Sequence, residues 1–556
     1  MRSKESRMIT DLKINAKNKE RWYAEGWWTE DTLFDVWHRV AAENAEKEYV
    51  CDSTGVRLTY GEVDDKSSRL AAWLKEQGVQ NGDVVSFQIP IWSEFAYVYV
   101  ALLKVGAVMH PLPINFNEED LDYAMNLVGS KGLICPTFYH KTDYELQAEA
   151  VKKRVSTMEF IALLDKVTPA HNPEYPTLDQ IFQQYEPLTE PPESKSDEVV
   201  NILSTSGTTG FPKAVLFTHN NILASERTYV DGAQRTADDV MIMMSPLNHA
   251  TGFYHGLIAN MIMGARVVLQ EHFSPALAVE LINAEGATWS HGATPFVYDT
   301  LNYLEETGSE IPSMDIFISG GAPLPGSLVK RCASHGFLLC ESYGSTESCP
   351  HVYVPPSKAL EWDGQRAGIP CDGVEVRIVD ADHNEVPRNV KGEEASRGPN
   401  VFVGYLNNPE ANAKSLDDEG WFYSGDLSFM DEEGRIKICG RIKEIVIRGG
   451  ENISVNEIDH NLDGCPGMGA HATCGMPDER LGERICTFAV PVEGQPFPTV
   501  PDVQKYLASK NIQKRLWPER IEPIDALPYT LSGKVKRYEL AAEIKRRIAA
   551  EKEAQA

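Results

Sequence analysis

The stretch Leu203–Val215 reads LSTSGTTGFPKAV and is dense in groups that bind anions. Ser204, Thr205, Ser206, Thr208 and Thr209 bring hydroxyls, Lys213 brings an ammonium, and no acid lies among them. Gly207 and Gly210 permit backbone conformations that other residues resist. A turn built this way can aim several N–H groups into one concavity, and a polyphosphate suits that chemistry. The P-loop pattern G-x-x-x-x-G-K-[ST] is not met. Here Lys213 follows Pro212, and Ala214 stands where a Ser or Thr would hold magnesium.

Further along the chain are other residues with chemical use. Tyr343-Gly344-Ser345-Thr346-Glu347 follows the apolar run Leu338–Cys340, and an open α/β sheet places its ligands at such strand ends. Glu347 supplies the hard carboxylate oxygen that magnesium prefers beside phosphate. Ser319-Gly320-Gly321-Ala322-Pro323 ends another apolar run, and its paired glycines let backbone approach a flat ring. Asp426, in Tyr423-Ser424-Gly425-Asp426-Leu427, has two acceptor oxygens that suit a pair of hydroxyls. Gly440-Arg441-Ile442-Lys443 lies shortly after it, and Leu527–Arg537 reads LPYTLSGKVKR.

The pattern from Thr205 to Val215, [ST]-S-G-T-T-G-x-P-K-x-V, resembles the phosphate loop of the acyl-adenylate-forming superfamily. That superfamily includes acyl-CoA synthetases, firefly luciferase-type enzymes and the adenylation domains of peptide synthetases. The other segments match its motifs in the same order, and weaker likeness at 58–63 and 103–108 extends the match to nearly the whole chain. The chain is most similar to bacterial short- and medium-chain fatty acyl-CoA synthetases. The resemblance implies ATP, Mg2+ and coenzyme A as cofactor and co-substrates, and a small carboxylic acid as substrate. It places the triphosphate on Thr205, Ser206, Gly207, Thr208, Thr209, Gly210 and Lys213. Adenine would lie against Gly321, Ala322 and Pro323 and stack on Tyr343 of the Tyr343-Gly344-Ser345 turn. Thr346 would contact the α-phosphate, Glu347 the metal, and Asp426 and Arg441 the ribose. Lys534 would balance charge during adenylation and Lys443 would be the hinge. Gly449, Gly450 and Asn452 would admit the pantetheine arm. By family position His249, Phe253, Gly292, Ala293, Gly320 and Gly344 should line the acid pocket, where glycines would leave depth for an alkyl chain or a ring. Lone histidines are more often packed or gating residues than catalysts, and His249 is a candidate on those terms.

These groups need a scaffold to position them. A chain of 556 residues exceeds one ordinary core, so at least two domains are expected. Strand-like runs at Val84–Ile89, Gly106–Met109, Gly132–Cys135 and Phe160–Leu164 alternate with helical patterns such as Glu94–Leu103, which implies parallel pairing with helices on the faces. A proline- and acid-rich linker at 187–198 separates a second alternation, with strands at Val199–Leu203, Val240–Met244, Ala265–Leu269, Ile316–Ser319 and Leu338–Cys340. Short strands with glycine turns over 364–437 suggest a small barrel or sandwich. The expected fold is therefore α/β plus α+β. A large N-terminal domain, 1–440, holds two α/β subdomains and a small β-barrel, and a small mobile α+β domain, 441–556, follows.

The net charge of −28 argues against nucleic acid as partner, since a phosphate backbone calls for a concentrated positive surface. The 10 cysteines include no C-x-x-C pair, so reduced thiols and a cytoplasmic location are expected. No run approaches the ~20 apolar residues of a membrane span. Monomer and homodimer both stay open.

A carboxylate repels nucleophiles, and joining it to AMP supplies a good leaving group. The expected activity is an AMP-forming fatty acyl-CoA ligase with adenylate and thioester half-reactions. Amino-acid adenylation needs an acid to meet the substrate ammonium, and Ser245–Leu269 contains no Asp or Glu. A short or medium fatty acid is the first choice. An alicyclic or aromatic acid is the alternative, as is loading of an acyl carrier protein.

Overall fold

The structure, a computed structural model, describes residues 8–205, 212–321, 324–362, 364, 366–442, 445–448, 451–478, 481–510, 512–529 and 535–555. The chain packs as two compact units. The first comprises Met1–Thr205, Pro212–Val376 and Ser396–Tyr423, and the second comprises Arg377–Ala395 and Ser424–Ala556.

The first unit contains two large sheets. One has 6 strands in the order Lys213–Thr218, Val199–Thr205, Val108–Pro111, Val84–Phe87, Gly132–Pro136 and Phe160–Leu164. All neighbours are parallel except the first pair. The other has 9 strands, and its stretch from Leu338–Ser345 through Ile316–Gly320, Trp289–Ala293, Val240–Met243 and Arg266–Leu269 to Glu48–Asp52 is parallel.

Sheet membership does not follow the linker at 187–198. Strand Val199–Thr205 joins the sheet built by the residues before the linker, with Met109 opposite Asn201. The Asn201 amide donates to the Met109 carbonyl at 2.9 Å. Conversely, Glu48–Asp52 pairs with Arg266–Leu269.

Helix boundaries follow local chemistry. Thr59 and Glu62 form a capping box at the start of Tyr60–Glu76, satisfying two amides that a helix start leaves bare. Ser274 caps Pro275–Glu285, with proline at the first position, where its missing N–H costs nothing. Every residue of Glu94–Val105 is buried, consistent with a helix apolar on all sides. Its one buried cation, Lys104, is met by Asp64 Oδ1 and Ser68 Oγ, each at 2.6 Å. Strand Trp289–Ala293 and helix Thr294–Thr307 are not foreseen, although the helix buries Val297, Leu301 and Leu304 at helical spacing.

The short strands expected as a barrel or sandwich form a four-stranded sheet, in the order Glu375–Val379, Gly392–Arg397, Phe422–Met430 and Ile436–Arg441. In the second unit, a five-stranded sheet carries Glu451–Ser454, Ile445–Arg448, Gly482–Pro491, Met468–Asp478 and Arg520–Pro523. Helices Val455–Leu462, Val500–Ser509 and Arg537–Gln555 accompany it. Among the described residues no helix is long and apolar enough to cross a membrane.

Candidate active site

Thr205 and Lys213 face each other where two strands meet. Val199–Thr205 and Lys213–Thr218 pair antiparallel, with Thr205 opposite Lys213. The predicted phosphate loop is thus the connection of a hairpin whose second strand the sequence did not announce. A segment from far along the chain braces that strand: Leu216 N–H donates to Gly404 O and Val403 N–H to Leu216 O, both at 3.0 Å, and Leu406 N–H donates to Ala214 O at 2.9 Å. Ser206, Gly207, Thr208, Thr209 and Gly210 lie outside the described residues. Thr205 Oγ1 is buried with no hydrogen-bond partner among the described residues, and so is Ser345 Oγ. Buried polar atoms are nearly always paired, so both are candidates for contact with a ligand.

Three neighbouring parallel strands of the large sheet bring the next group together at their carboxyl ends. Ala293 lies opposite Gly320, and Gly320 opposite Ser342. The segments holding Gly292, Gly321 and Tyr343 are therefore adjacent, although widely spaced in sequence. Gly321 has φ +92° with nothing near the place a Cβ would take, so only its backbone conformation demands glycine. Tyr343, Gly344 and Ser345 close the last parallel strand, and Thr346 and Glu347 turn it into Ser348–Tyr353. The Tyr343 ring sits 4.8 Å from that of His351. Ala322 and Pro323 are outside the described residues.

Glu347 and Lys213 meet through a residue the sequence reading missed. The Tyr405 hydroxyl donates to Glu347 Oε1 at 2.8 Å, while Lys213 Nζ lies over the Tyr405 ring, 3.9 Å from its centroid. Glu347 is 9% exposed. A buried carboxylate with one oxygen held by a neutral donor suits a hard divalent cation at the other. A second acid–thiol group, Glu48, Cys51 and Glu285, does not fit a cation, because Arg57 and Arg266 already bridge its carboxylates.

The proposed acid-pocket residues fare unevenly. His249 is exposed, and its Nδ1 accepts from Thr251 N–H at 3.3 Å. Phe253 is wholly enclosed, with its ring edge-on to Phe95 and Tyr99 at 5.1 and 5.4 Å. Phe253 lies in Thr251–Ile258, which takes π-helical form, a geometry often found at functional sites. Ala293 is exposed. The expected depth beside the glycines is already filled. A Cβ on Gly292 would come 2.7 Å from the Phe296 ring, and one on Gly320 would come 2.9 Å from the Ser342 carbonyl. These glycines serve close packing in this structure.

Behind them lies an unforeseen polar cluster. Glu226 Oε2 pairs with His255 Nδ1 at 2.9 Å, and His255 Nε2 is 3.2 Å from Cys349 Sγ. His255 stacks on His291 at 4.8 Å, and the Tyr229 hydroxyl meets His291 Nδ1 at 2.8 Å. Burial lowers the His291 pKa well below the ordinary histidine value, and neighbouring His255 and His249 add to the effect. Beside Tyr229 lies a small concavity of about 20 Å³, lined mainly by apolar groups, among them Ile316, Ile318, Cys340 and Tyr353. The argument from acid-free Ser245–Leu269 could not see Glu226, which reaches in from helix His219–Ala233.

In the second unit Asp426 stands opposite Arg441 on adjacent strands. Arg441 Nε lies 3.1 Å from Asp426 Oδ1. Asn452 is in strand Glu451–Ser454. Lys443, Gly449, Gly450 and Lys534 are outside the described residues.

Comparison with known proteins shows the family. The family model "AMP-binding enzyme" matches residues 37–406. The chain is 39% identical over 549 residues to a medium-chain fatty-acid–CoA ligase of Escherichia coli, covering 98% of this chain and 96% of that protein. It is 30% identical to a feruloyl-CoA synthase of an Amycolatopsis species, covering 89% of this chain and 94% of that protein. Among solved structures, ATP-bound MatB of Rhodopseudomonas palustris superposes with a TM-score of 0.81 at 26% identity, over 93% of this chain and 99% of that one. The hairpin at Thr205 and Lys213, the strand ends of the large sheet and these full-length likenesses agree: the chain belongs to the AMP-binding enzyme family.

Proposed function

We propose that the protein is an AMP-forming ligase that joins a short- or medium-chain fatty acid to coenzyme A. The meeting of Lys213 and Glu347 at Tyr405, beside the hairpin of Thr205, carries the reading. It sets a cation and a carboxylate together where a triphosphate would be gripped. In the first half-reaction the acid's carboxylate oxygen attacks the α-phosphorus of ATP, a new O–P bond forms and pyrophosphate leaves. Donors of the 204–213 segment hold the departing charge, as positioned donors do. Magnesium bound at Glu347 would neutralise phosphate charge. In the second half-reaction the thiol of coenzyme A attacks the acyl carbon, a C–S bond forms, and AMP leaves.

Thr346 and Lys534 are assigned to the α-phosphate, Tyr343 and Gly321 to adenine, and Asp426 and Arg441 to ribose. The assignment of Lys534 rests on its motif alone. We divide the chain functionally at 440/441 and take Lys443 as the pivot that exchanges Lys534 for Gly449, Gly450 and Asn452 between half-reactions. We assign the alkyl chain to the apolar walls around Tyr229, Ile316, Ile318 and Cys340, which must part to admit it and where burial would stabilise it. His249, which is exposed, is assigned to gating. The 10 thiols, mostly buried, suit a reducing compartment, and we place the reaction in the cytoplasm.

The test is coenzyme A-dependent AMP release with acetate through laurate, benzoate, cyclohexanecarboxylate and amino acids. Release should be greatest with short or medium fatty acids. AMP release that needs no coenzyme A, or that occurs with amino acids alone, would refute the reading. The likeness to a feruloyl-CoA synthase keeps an aromatic acid as the second reading, which benzoate distinguishes.

A further inference from the structure

We infer that Tyr405 is a positioning residue that sets the cation site and the phosphate-binding ammonium relative to each other. The inference rests on the assignment of Glu347 and Lys213 above and adds a residue to it. Tyr405 belongs to a short segment tied at both ends to the groups in question. Phe402 N–H donates to the Glu347 carbonyl at 2.9 Å, and Leu406 N–H to the Ala214 carbonyl at 2.9 Å. Tyr405 itself bridges Val215 in the hairpin strand. Its backbone is clamped from the other side by Asn412, which accepts the Tyr405 N–H at 2.6 Å and donates to its carbonyl at 3.0 Å. The ring rests on Phe402 at 4.8 Å, and the side chain is buried.

Tyr405 is therefore rigid, and its two ends have different tasks. The hydroxyl takes Oε1 of Glu347, turning Oε2 toward a cation. The ring face seats the Lys213 ammonium by attraction to its π electrons.

The test uses the full chain and Mn2+ as a spectroscopic probe of the divalent site, titrated by electron paramagnetic resonance with a non-hydrolysable ATP analogue. Tyr405→Phe keeps the ring and loses the hydroxyl. It should weaken Mn2+ binding about tenfold, the order expected for one hydrogen bond to a charged group. Binding of the analogue in EDTA should stay within about twofold, since the ring remains under Lys213. Tyr405→Leu should weaken both. In a Glu347→Gln background, Tyr405→Phe should cause no further loss of Mn2+, which a merely structural role would not produce. Unchanged Mn2+ affinity in Tyr405→Phe, or an equal loss with and without Glu347, overturns the inference while nucleotide binding by the wild type stands. A wild-type chain that binds no nucleotide overturns the functional reading as well.

Discussion

Nδ1 of His255 lies 2.9 Å from Oε2 of Glu226, and both side chains are fully enclosed. Burial opposes charge on the imidazole, but the Glu226 carboxylate and the Cys349 sulfur outweigh it and raise the His255 pKa from 6.5 to about 10. His291 and Tyr229 complete the surroundings. The folded value exceeds the unfolded one, so this pair stabilises the fold fully below pH 6.5 and its contribution is lost as pH rises through about 10. Urea midpoints should fall across that window, and His255→Asn should flatten the fall. Removing the carboxylate alone, in Glu226→Ala, leaves a buried charge unpaired and should cost about 3–5 kcal/mol at neutral pH.

Lys534 is assigned only to the attack on the α-phosphorus. Lys534→Ala should slow pyrophosphate release by about 10²–10³, the range for loss of one transition-state donor. Thioester formation from preformed acyl-adenylate should keep its wild-type rate. Equal turnover of the acid by variant and wild type would remove Lys534 from the mechanism.

Lys443→Pro restricts the backbone at the assigned pivot. Adenylate should still accumulate in single-turnover experiments while thioester production collapses. Unchanged thioester rates would show that the second half-reaction needs no rotation there.

The concavity beside Tyr229 gives a prediction about chain length. Ile318→Trp fills the concavity and replaces a branched wall residue with a larger, flat one. The kcat/KM for octanoate and decanoate should drop while that for butyrate is nearly kept. Each methylene denied burial costs about 0.8 kcal/mol. An unchanged chain-length profile would place the alkyl tail elsewhere.

Local chemistry made much of the fold legible. Capping residues such as Thr59 with Glu62, and Ser274 before Pro275, act over three or four residues, so they can be read directly. The strand at Phe160–Leu164 occurs as expected. The strand at Leu338 is expected to end at Cys340 but continues to Ser345, because Glu341 to Ser345 lack the apolar run that announces a strand. Glycine depth cannot be read from residue type alone, because a missing side chain leaves room only if no neighbour takes it. Phe296 and Ser342 do so here.

By itself, the amino-acid order determined the reaction class. The loop at 204–213, the turn at 343–347, the pair Asp426 and Arg441 and the segment around Lys534 are short patterns whose residue types state their chemistry. Only tertiary structure decided who stands beside them. Tyr405 reaches Glu347 across 58 residues and His255 reaches Glu226 across 29. Such contacts arise when strands and helices distant in sequence are packed together to bury their apolar faces, and no local spacing encodes which polar side chains that burial will enclose.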